Sequence, residues 1–313
     1  MQNNRQFSYL VPYVLRSVAY IHQSHTCKAY CALEQLYAIK SNLPDEVWHY
    51  CTSMIIEDEP KVQGVIAKEL LELEAITDST SGRDFGPDWI LGRGLMPLSY
   101  WAMCKKVDDL GFEGVIKLYA DKALEQPRYL GHEVSILSAH WEFYRTVVSQ
   151  LANEEDQVLY LQRFTEYITA TYANGALDLI EHPKVEAIQS EEELLLNALR
   201  QPGFFGHHVL AFVWGTRLKP YLNQSQQDKL NYTQTVLNSG YGYENEPRLL
   251  DPLEFDWSEK ELNDQLTRFF LEGPKNIHQI TLAEALLWCW GQYPQYRRLI
   301  AANLLCFTDR VRP

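Results

Sequence analysis

Residues 26–40 read TCKAYCALEQLYAIK, and this stretch decides the fold class. Its apolar side chains recur near positions i, i+3, i+4 and i+7, which is the spacing of one face of an α-helix. The same pattern returns in residues 62–76 (VQGVIAKELLELEAI) and 156–172 (DQVLYLQRFTEYITATY). Strand-like alternation with hairpin turns is hard to find anywhere in the chain. The sequence therefore predicts an all-α fold.

Three capping boxes indicate where further helices begin. In a capping box, a Ser or Thr accepts a hydrogen bond from a first-turn N–H, and a Glu three residues later reaches back to the cap. The three pairs are Ser190 with Glu193, Ser258 with Glu261, and Thr281 with Glu284. Each pair precedes an apolar run, so we expect a helix to begin at each one.

Two stretches rich in Gly, Ser and Pro, residues 77–98 and 238–257, separate the helical segments. Both retain aromatic side chains, which is typical of ordered, packed loops rather than flexible linkers. A long loop in a helical protein often borders a binding site, and an ordinary surface excursion is the alternative.

The composition is that of an ordinary globular protein. Of its 313 residues, 46% are hydrophobic and 22% are charged, and the formal net charge is −13. Such an acidic chain lacks the clustered Lys and Arg that bind nucleic acids or anionic membranes. No apolar run approaches the roughly 20 residues of a membrane helix, and the first residues do not form the apolar core of a signal peptide. We expect a cytoplasmic protein with neither nucleic acid nor membrane as its partner.

The signatures of the common enzyme classes are missing. The six cysteines are too sparse for a disulfide scaffold, and none forms a CxxC motif. The sequence contains no GxGxxG, GxxxxGK[ST], GxSxG or HExxH. Nucleotide-binding, hydrolase and zinc-protease functions therefore have no support from motifs.

An internal echo is the unusual feature of the sequence. Residues 123–134 (ALEQPRYLGHEV) and 198–209 (ALRQPGFFGHHV) are identical at seven of twelve positions, with an offset of 75. A looser likeness continues downstream, so that 123–162 corresponds to 198–234. The echo suggests a duplicated helix-turn-helix unit inside a single multi-helix domain that spans residues 1–313.

The echo places a histidine at the start of each of two helices. Pro127 and Pro202 end the preceding helices, because the residue before a proline is disfavoured in the helical conformation. New helices then begin near the two Gly-His pairs, so His132 and His207 are expected in the first turn. The positive end of the helix dipole lowers the pKa of a histidine there. A neutral imidazole can bind a metal or haem iron, or act as a weak acid. The alternative is a structural histidine that caps the helix by hydrogen bonding and packs its ring under the preceding aromatic side chain.

Further candidates lie on the same two helices. Glu133 and His140 are seven residues apart and project from one helix face. This spacing is similar to the Glu-x6-His element of the helical, haem-oxygenase-like non-haem iron oxygenases, and the resemblance, which covers this one helix, implies iron ligands. The later His-x3-Asp-x2-His helix of those families has no counterpart, because His207 and His208 are followed by VLAFVWG.

Arg217 is a candidate for binding a cofactor or a substrate. With Trp214 it follows the second Gly-His pair by two to three helical turns. An aromatic wall with an Arg could hold an aromatic or carboxylate-bearing small molecule. The alternative is a core position whose Arg reaches the surface with its charged end.

Three weaker patterns complete the candidates. Glu46 and His49 form an ExxH, the half-motif of helical di-iron carboxylate proteins, without a second copy. Asp108 and Asp109 form an acidic pair that is typical of a solvated helix end. The third pattern is an HxxHxCxxxC group, which matches no common zinc frame, formed by His22, His25, Cys27 and Cys31.

The first hypothesis is a helical enzyme with a His-lined, aromatic-walled pocket. It would be an oxidoreductase that acts on a small molecule, with iron or haem as the expected cofactor. The candidate catalytic residues are His132, His207 and Glu133, the candidate cofactor-binding residues are His207, His208 and Arg217, and the candidate metal ligands are His132, His140 and His207.

Two alternatives stay open. The first is a non-catalytic helical interaction protein in which the echo marks a structural repeat. The second is a metal-free enzyme in which a neutral histidine transfers protons to and from a small molecule.

Overall fold

The computed structural model describes residues 6–18, 24–62, 86–125, 129–173, 185, 187–239 and 249–309. This part of the chain forms thirteen α-helices joined by turns and short 3-10 helices. Its strand-like content is a single bridge between Ser17 and Lys61. The prediction of an all-α fold is confirmed.

The helices are numbered in chain order. They are α1 (Val11–Arg16), α2 (His25–Lys40), α3 (Asp45–Glu57), α4 (Pro87–Arg93), α5 (Leu98–Glu125), α6 (His132–Thr146), α7 (Glu154–Tyr172), α8 (Glu191–Arg200), α9 (His207–Leu218), α10 (Gln224–Asn238), α11 (Glu259–Leu271), α12 (His278–Gln292) and α13 (Arg297–Asp309).

The helices predicted over residues 26–40 and 156–172 are α2 and α7. The segment 62–76 lies outside the described residues apart from its first position. Within the two predicted loops, Pro87–Arg93 forms the short helix α4. Residues 249–257 are free of regular helix, as expected for a loop. The remaining positions 77–85 and 240–248 fall outside the described residues.

Two of the three predicted capping boxes are confirmed. Helices α8 and α11 begin directly after Ser190 and Ser258, and both boxes are complete. The third prediction is wrong. Helix α12 begins three residues before Thr281, whose hydroxyl donates to the carbonyl of His278 at 3.1 Å. The carboxylate of Glu284 forms an ion pair elsewhere instead of reaching back to a cap.

Four helices, α2, α6, α9 and α12, form a closed ring in which each packs against two neighbours. They run parallel, because contacts between neighbours ascend both helices together. Between α2 and α6 the contact pairs are His25 with His132 and Tyr30 with Phe143. Between α6 and α9 they are His132 with His207 and Ser138 with Trp214. Between α9 and α12 they are His207 with His278 and Arg217 with Glu284. The N-termini of the four helices therefore meet at one end of the ring.

The other helices return the chain to that end and cover the outside of the ring. Helix α5 packs against α6, α7 and α10, helix α8 against α9, α10 and α13, and helix α11 against α3, α12 and α13. One continuous hydrophobic core runs through the ring and the surrounding helices. No described helix combines the length and the apolar character needed to span a bilayer.

The two halves of the echo share an unusual backbone conformation. Leu130 and Gly131 have φ of 59° and 71°, and Phe205 and Gly206 have φ of 47° and 73°. Two successive left-handed residues turn the chain sharply into the next helix. The predicted helix boundaries are confirmed, because α6 and α9 begin immediately after these glycines. Duplication of the longer unit stays a prediction.

Close packing also requires glycine at these two turns. A Cβ atom on Gly131 would lie 2.9 Å from both Ala211 Cβ and Leu237 Cδ1. On Gly206 it would lie 2.4 Å from Leu282 Cδ1. Any larger residue would push the start of α6 or α9 away from its neighbours, so the glycines fix where the following histidines lie.

Candidate metal centre

Each of the four ring helices begins at a histidine: α2 at His25, α6 at His132, α9 at His207 and α12 at His278. We call these four residues the His tetrad. Because the ring helices are parallel, their first residues meet at the same end of the ring. His132 and His207 are both only 2% exposed, and the other two are half-buried.

The imidazole nitrogens of the His tetrad converge. His132 Nε2 lies 3.4 Å from His25 Nε2 and 3.2 Å from His207 Nε2. One ligand atom each from His25, His132 and His278 lies within 4.8 Å of the other two. Ligands at about 2.0–2.1 Å from a tetrahedral ion are about 3.3–3.4 Å apart. These separations suit a single transition-metal ion held by His25, His132 and His278, and His207 adjoins this group through His132 Nε2.

Hydrogen bonds orient two of the rings for metal binding. His278 Nδ1 donates to Asn276 Oδ1 at 2.6 Å, and His207 Nδ1 donates to the carbonyl of Phe204. A proton on Nδ1 leaves the lone pair of a neutral imidazole on Nε2. His278 Nε2 is buried and has no hydrogen-bond partner among the described residues. Both rings thus present Nε2 as the ligand atom.

The surroundings keep these histidines neutral. Burial lowers the pKa of His207 to about 3, and the charges of Lys28, His25 and His208 act in the same direction. Burial, with the neighbouring charges of the tetrad, also holds the pKa of His278 well below its usual value. The positive ends of the ring helices favour the neutral form as well. Metal binding requires neutral imidazole, so the site is ready at physiological pH.

A cavity of about 200 Å³ adjoins the His tetrad. Its wall combines apolar and polar side chains, and the exposed residues Phe204 and Asp58 lie where it meets solvent. The lining residues beyond the tetrad are Asp58, Leu130, Phe204, Asn276 and Ile277. A small, partly apolar molecule could therefore reach an ion held by the tetrad.

The ring interior behind the His tetrad is polar. Lys28 lies one helical turn beyond His25, is 3% exposed, and donates from Nζ to Ser135 Oγ at 3.0 Å. Burial lowers the pKa of Lys28 to about 7, helped by the charge of Arg217 and opposed by that of Glu284. A buried amine with this pKa changes its charge near neutral pH.

The structure brings two of the three predicted metal ligands together and leaves apart the third, His140, and the predicted cofactor-binding residue His208. His132 and His207 belong to the tetrad. His140 lies two turns further along α6, where its Nδ1 is 3.8 Å from Cys27 Sγ and 3.3 Å from the Tyr160 hydroxyl. His208 faces away, and its Nδ1 donates to the carbonyl of Gln201 at 2.6 Å.

The other predicted site residues do not line the cavity either. Glu133 is 2% exposed and lies outside the tetrad. Arg217 forms a two-fold hydrogen-bonded pair with Glu284, at 3.1 Å for one of the two bonds. Its guanidinium also stacks over the ring of Trp214, 4.6 Å from the centroid. Arg217 is therefore engaged inside the protein.

The structure places the residues of the three weaker sequence patterns in different surroundings. His25 of the HxxHxCxxxC group belongs to the tetrad, whereas Cys27 and Cys31 are buried against the carbonyl of Ala139. His22 lies outside the described residues. The ExxH pair and the acidic pair are on exposed helix surface, at Glu46, His49, Asp108 and Asp109.

Two members of the tetrad were missed by the sequence. His25 carried a signal only as part of an unassigned cluster, and His278 lies in no motif. A local signal for His278 existed in Asn276, because Asn side chains often accept the backbone N–H two residues on, and Asn276 Oδ1 accepts from the His278 N–H at 2.9 Å.

Comparisons with known proteins give no guide to function. No protein-family model matches the chain, and no curated protein or solved structure matches it. The function has to be inferred from the geometry of the His tetrad and its cavity.

Proposed function

We propose that this protein is a metal-dependent enzyme whose His tetrad binds a divalent transition-metal ion, with iron as the leading candidate. It acts as an oxidoreductase on a small molecule bound in the adjoining cavity. The observation that carries the proposal is the convergence of imidazole nitrogens at 3.2 and 3.4 Å around His132 Nε2. Hydrogen bonds from Nδ1 also hold the rings of His207 and His278 with their lone pairs on Nε2.

The arrangement favours an ion with open coordination positions. Imidazole binds zinc, copper, iron and nickel. Four histidines would close the shell of a four-coordinate zinc site, which is typical of structural centres. An ion that takes six ligands keeps two positions for water, oxygen or substrate, and the cavity beside the tetrad supplies the space for them.

The geometry favours a bare ion over haem. A porphyrin would have to separate the rings of the tetrad, yet His132 Nε2 and His207 Nε2 are 3.2 Å apart. The cavity of about 200 Å³ is also smaller than the roughly 300–1,000 Å³ of common small-molecule pockets. We therefore retain iron and not haem from the expected cofactors.

The cavity lining suggests the class of substrate. Leu130, Phe204 and Ile277 offer apolar surface, whereas Asp58 and Asn276 offer hydrogen-bonding groups. A small aromatic or alicyclic molecule with at least one hydroxyl would match both. Its apolar part would pack against Phe204 while a polar group faces Asp58 or the metal.

Metal-free acid–base catalysis is less well supported. A catalytic acid or base works best when its pKa is near the working pH. Burial places the pKa of His207 at about 3, so this ring stays neutral and accepts protons poorly. The same property suits a metal ligand.

We also propose a cytoplasmic location. All six cysteines are free thiols, four of them buried. Free thiols are typical of proteins in reducing compartments.

Metal analysis with matched variants tests the proposed function. We expect protein produced with iron to contain iron, and H132A and H207A to lose it. H208A is the control, because His208 is buried beside His207 but lies outside the tetrad. Nitric oxide, an oxygen analogue, should bind the ferrous protein and give a new absorbance band. Iron retained by both tetrad variants, or lost equally in H208A, would show that the tetrad is not the metal site.

A further inference from the structure

His25 belongs to a second group of potential metal ligands. One ligand atom each from His25, Asp58 and Glu59 lies within 4.8 Å of the other two. The two carboxylates follow the end of α3 at Glu57 directly. Asp58 lines the same cavity as the His tetrad. A nitrogen and two carboxylates therefore lie beside the proposed ion.

Glu59 carries an unpaired buried oxygen in this group. Its residue exposure is 5%, and its Oε1 accepts the backbone N–H of His25 at 2.7 Å. Its Oε2 is buried and has no hydrogen-bond partner among the described residues. A buried carboxylate oxygen is costly unless a cation or donor satisfies it.

The charge balance around the carboxylates also favours a cation. Lys61 is an ammonium group beside them, and it donates to the Glu59 carbonyl. Burial raises the pKa of Asp58, and the charge of Lys61 opposes that shift. With both carboxylates ionised, one ammonium leaves a net charge of −1 in this group, which attracts a cation.

We propose that the centre is dinuclear, with a second divalent transition-metal ion bound by His25, Asp58 and Glu59 beside the ion of the His tetrad. This inference rests on the proposed function, because His25 belongs to both groups. The imidazole of His25 would be shared between the two sites. Four histidines and two carboxylates together form a nitrogen and oxygen ligand set that suits iron or manganese.

Titration of the metal-free protein with Mn²⁺ tests the proposal. Equilibrium dialysis should give two ions per chain for the native sequence. In D58N and E59Q the affinity for the second ion should fall by roughly tenfold or more, because a direct ligand is lost. Adjacent Mn²⁺ ions couple magnetically, so the six-line electron paramagnetic resonance signal should weaken at the second equivalent. The two variants should keep that signal.

E57Q is the matched control, because it removes an exposed carboxylate from the adjacent position. It should still bind two ions. E59Q also removes a hydrogen-bond acceptor at the start of α2, so circular dichroism is used to check that this variant folds. D58N is the decisive variant, because Asp58 is exposed and its replacement leaves the core intact.

The outcomes separate this inference from the proposed function. One ion per chain, unchanged in D58N and E59Q, would overturn the second site and leave the tetrad site standing. Two ions in D58N and E59Q, bound as tightly as in the native protein, would also overturn it. No bound ion at all would overturn both.

Discussion

His132 Nε2 lies 3.2 Å from His207 Nε2, although the residues are 75 positions apart. This is the offset that separates the two similar Gly-His segments of the sequence. The two histidines are also equivalent in local structure, since each is the first residue of a helix after two left-handed residues. Similar segments thus bring two structurally equivalent histidines into direct contact.

Acidification should destabilise the metal-free protein through His207. Its pKa is about 3 in the folded protein and near 6.5 in an unfolded chain, by the usual value of about 6.5 for histidine. Between these values only the unfolded chain binds the proton, so stability is complete above about pH 6.5 and falls as the pH drops towards 3. Lowering the pH from 7 to 5 should cost about 2 kcal/mol through this residue.

Urea unfolding at pH 7 and pH 5 measures this effect. The stability loss should be smaller in H207Q than in the native protein by about 2 kcal/mol. H49Q is the control, because His49 is exposed. Equal losses in all three proteins would show that His207 titrates normally.

Alanine at either turn glycine should be strongly destabilising. Gly131 and Gly206 have φ of 71° and 73°, and an added Cβ would come within 2.9 Å and 2.4 Å of neighbouring side chains. Strain and overpacking together predict a loss of about 2–4 kcal/mol in the free energy of unfolding. G92A is the control, because Gly92 lies in α4 with open space around it, and it should be neutral or stabilising. Denaturant unfolding distinguishes the two outcomes.

Removing one partner of the Arg217–Glu284 pair should be costly. Glu284 is fully buried and Arg217 nearly so. R217M leaves the carboxylate unpaired and should lose about 3–5 kcal/mol. The double variant R217M/E284Q should lose less, because it leaves no buried carboxylate without its guanidinium partner.

An exposed ion pair provides the comparison for Arg217. Lys117 and Glu113 are about half-exposed on α5, so K117M should change stability by no more than about 0.5 kcal/mol. A loss in R217M as small as that in K117M would contradict the prediction. All variants are compared by denaturant unfolding.

Asn276 should matter for metal affinity. Its Oδ1 accepts from both His278 Nδ1 and the His278 N–H. N276A removes the acceptor that orients the ligand, so the affinity of the tetrad for Co²⁺ should fall by about 10–100-fold. N223A is the control, because Asn223 also caps a helix, α10. Calorimetric titration compares them, and equal affinities would contradict the orienting role.

Local signals in the sequence were enough for the fold class, for several individual helices and for half of the tetrad. Helical periodicity predicted α2 and α7, and the prolines and glycines of the echo predicted the starts of α6 and α9. These features depend on neighbouring residues alone. His25 and His278 depend on how the ring closes, because α2 and α12 contribute ligands only through their packing against α6 and α9.

An ion pair between residues distant in the sequence also explains why the capping box predicted at Thr281 does not form. Thr281 and Glu284 have the spacing of a box, yet Glu284 is buried against Arg217, 67 residues earlier in the chain. A guanidinium is a stronger partner for a buried carboxylate than a neutral backbone N–H. His140 lies two turns along α6 from His132 and so falls in a different layer of the ring.

Each tetrad histidine is the first residue of its helix, so the geometry of the site does not depend on the length of the chain that connects the helices. The intervals between the four histidines are 107, 75 and 71 residues. Residues inserted in the outer helices or their loops would leave the ligands in place. One residue inserted just after a tetrad histidine would rotate the rest of the helix by about 100° relative to it. Insertion scanning should therefore find the four helix starts less tolerant than the loops that connect the helices.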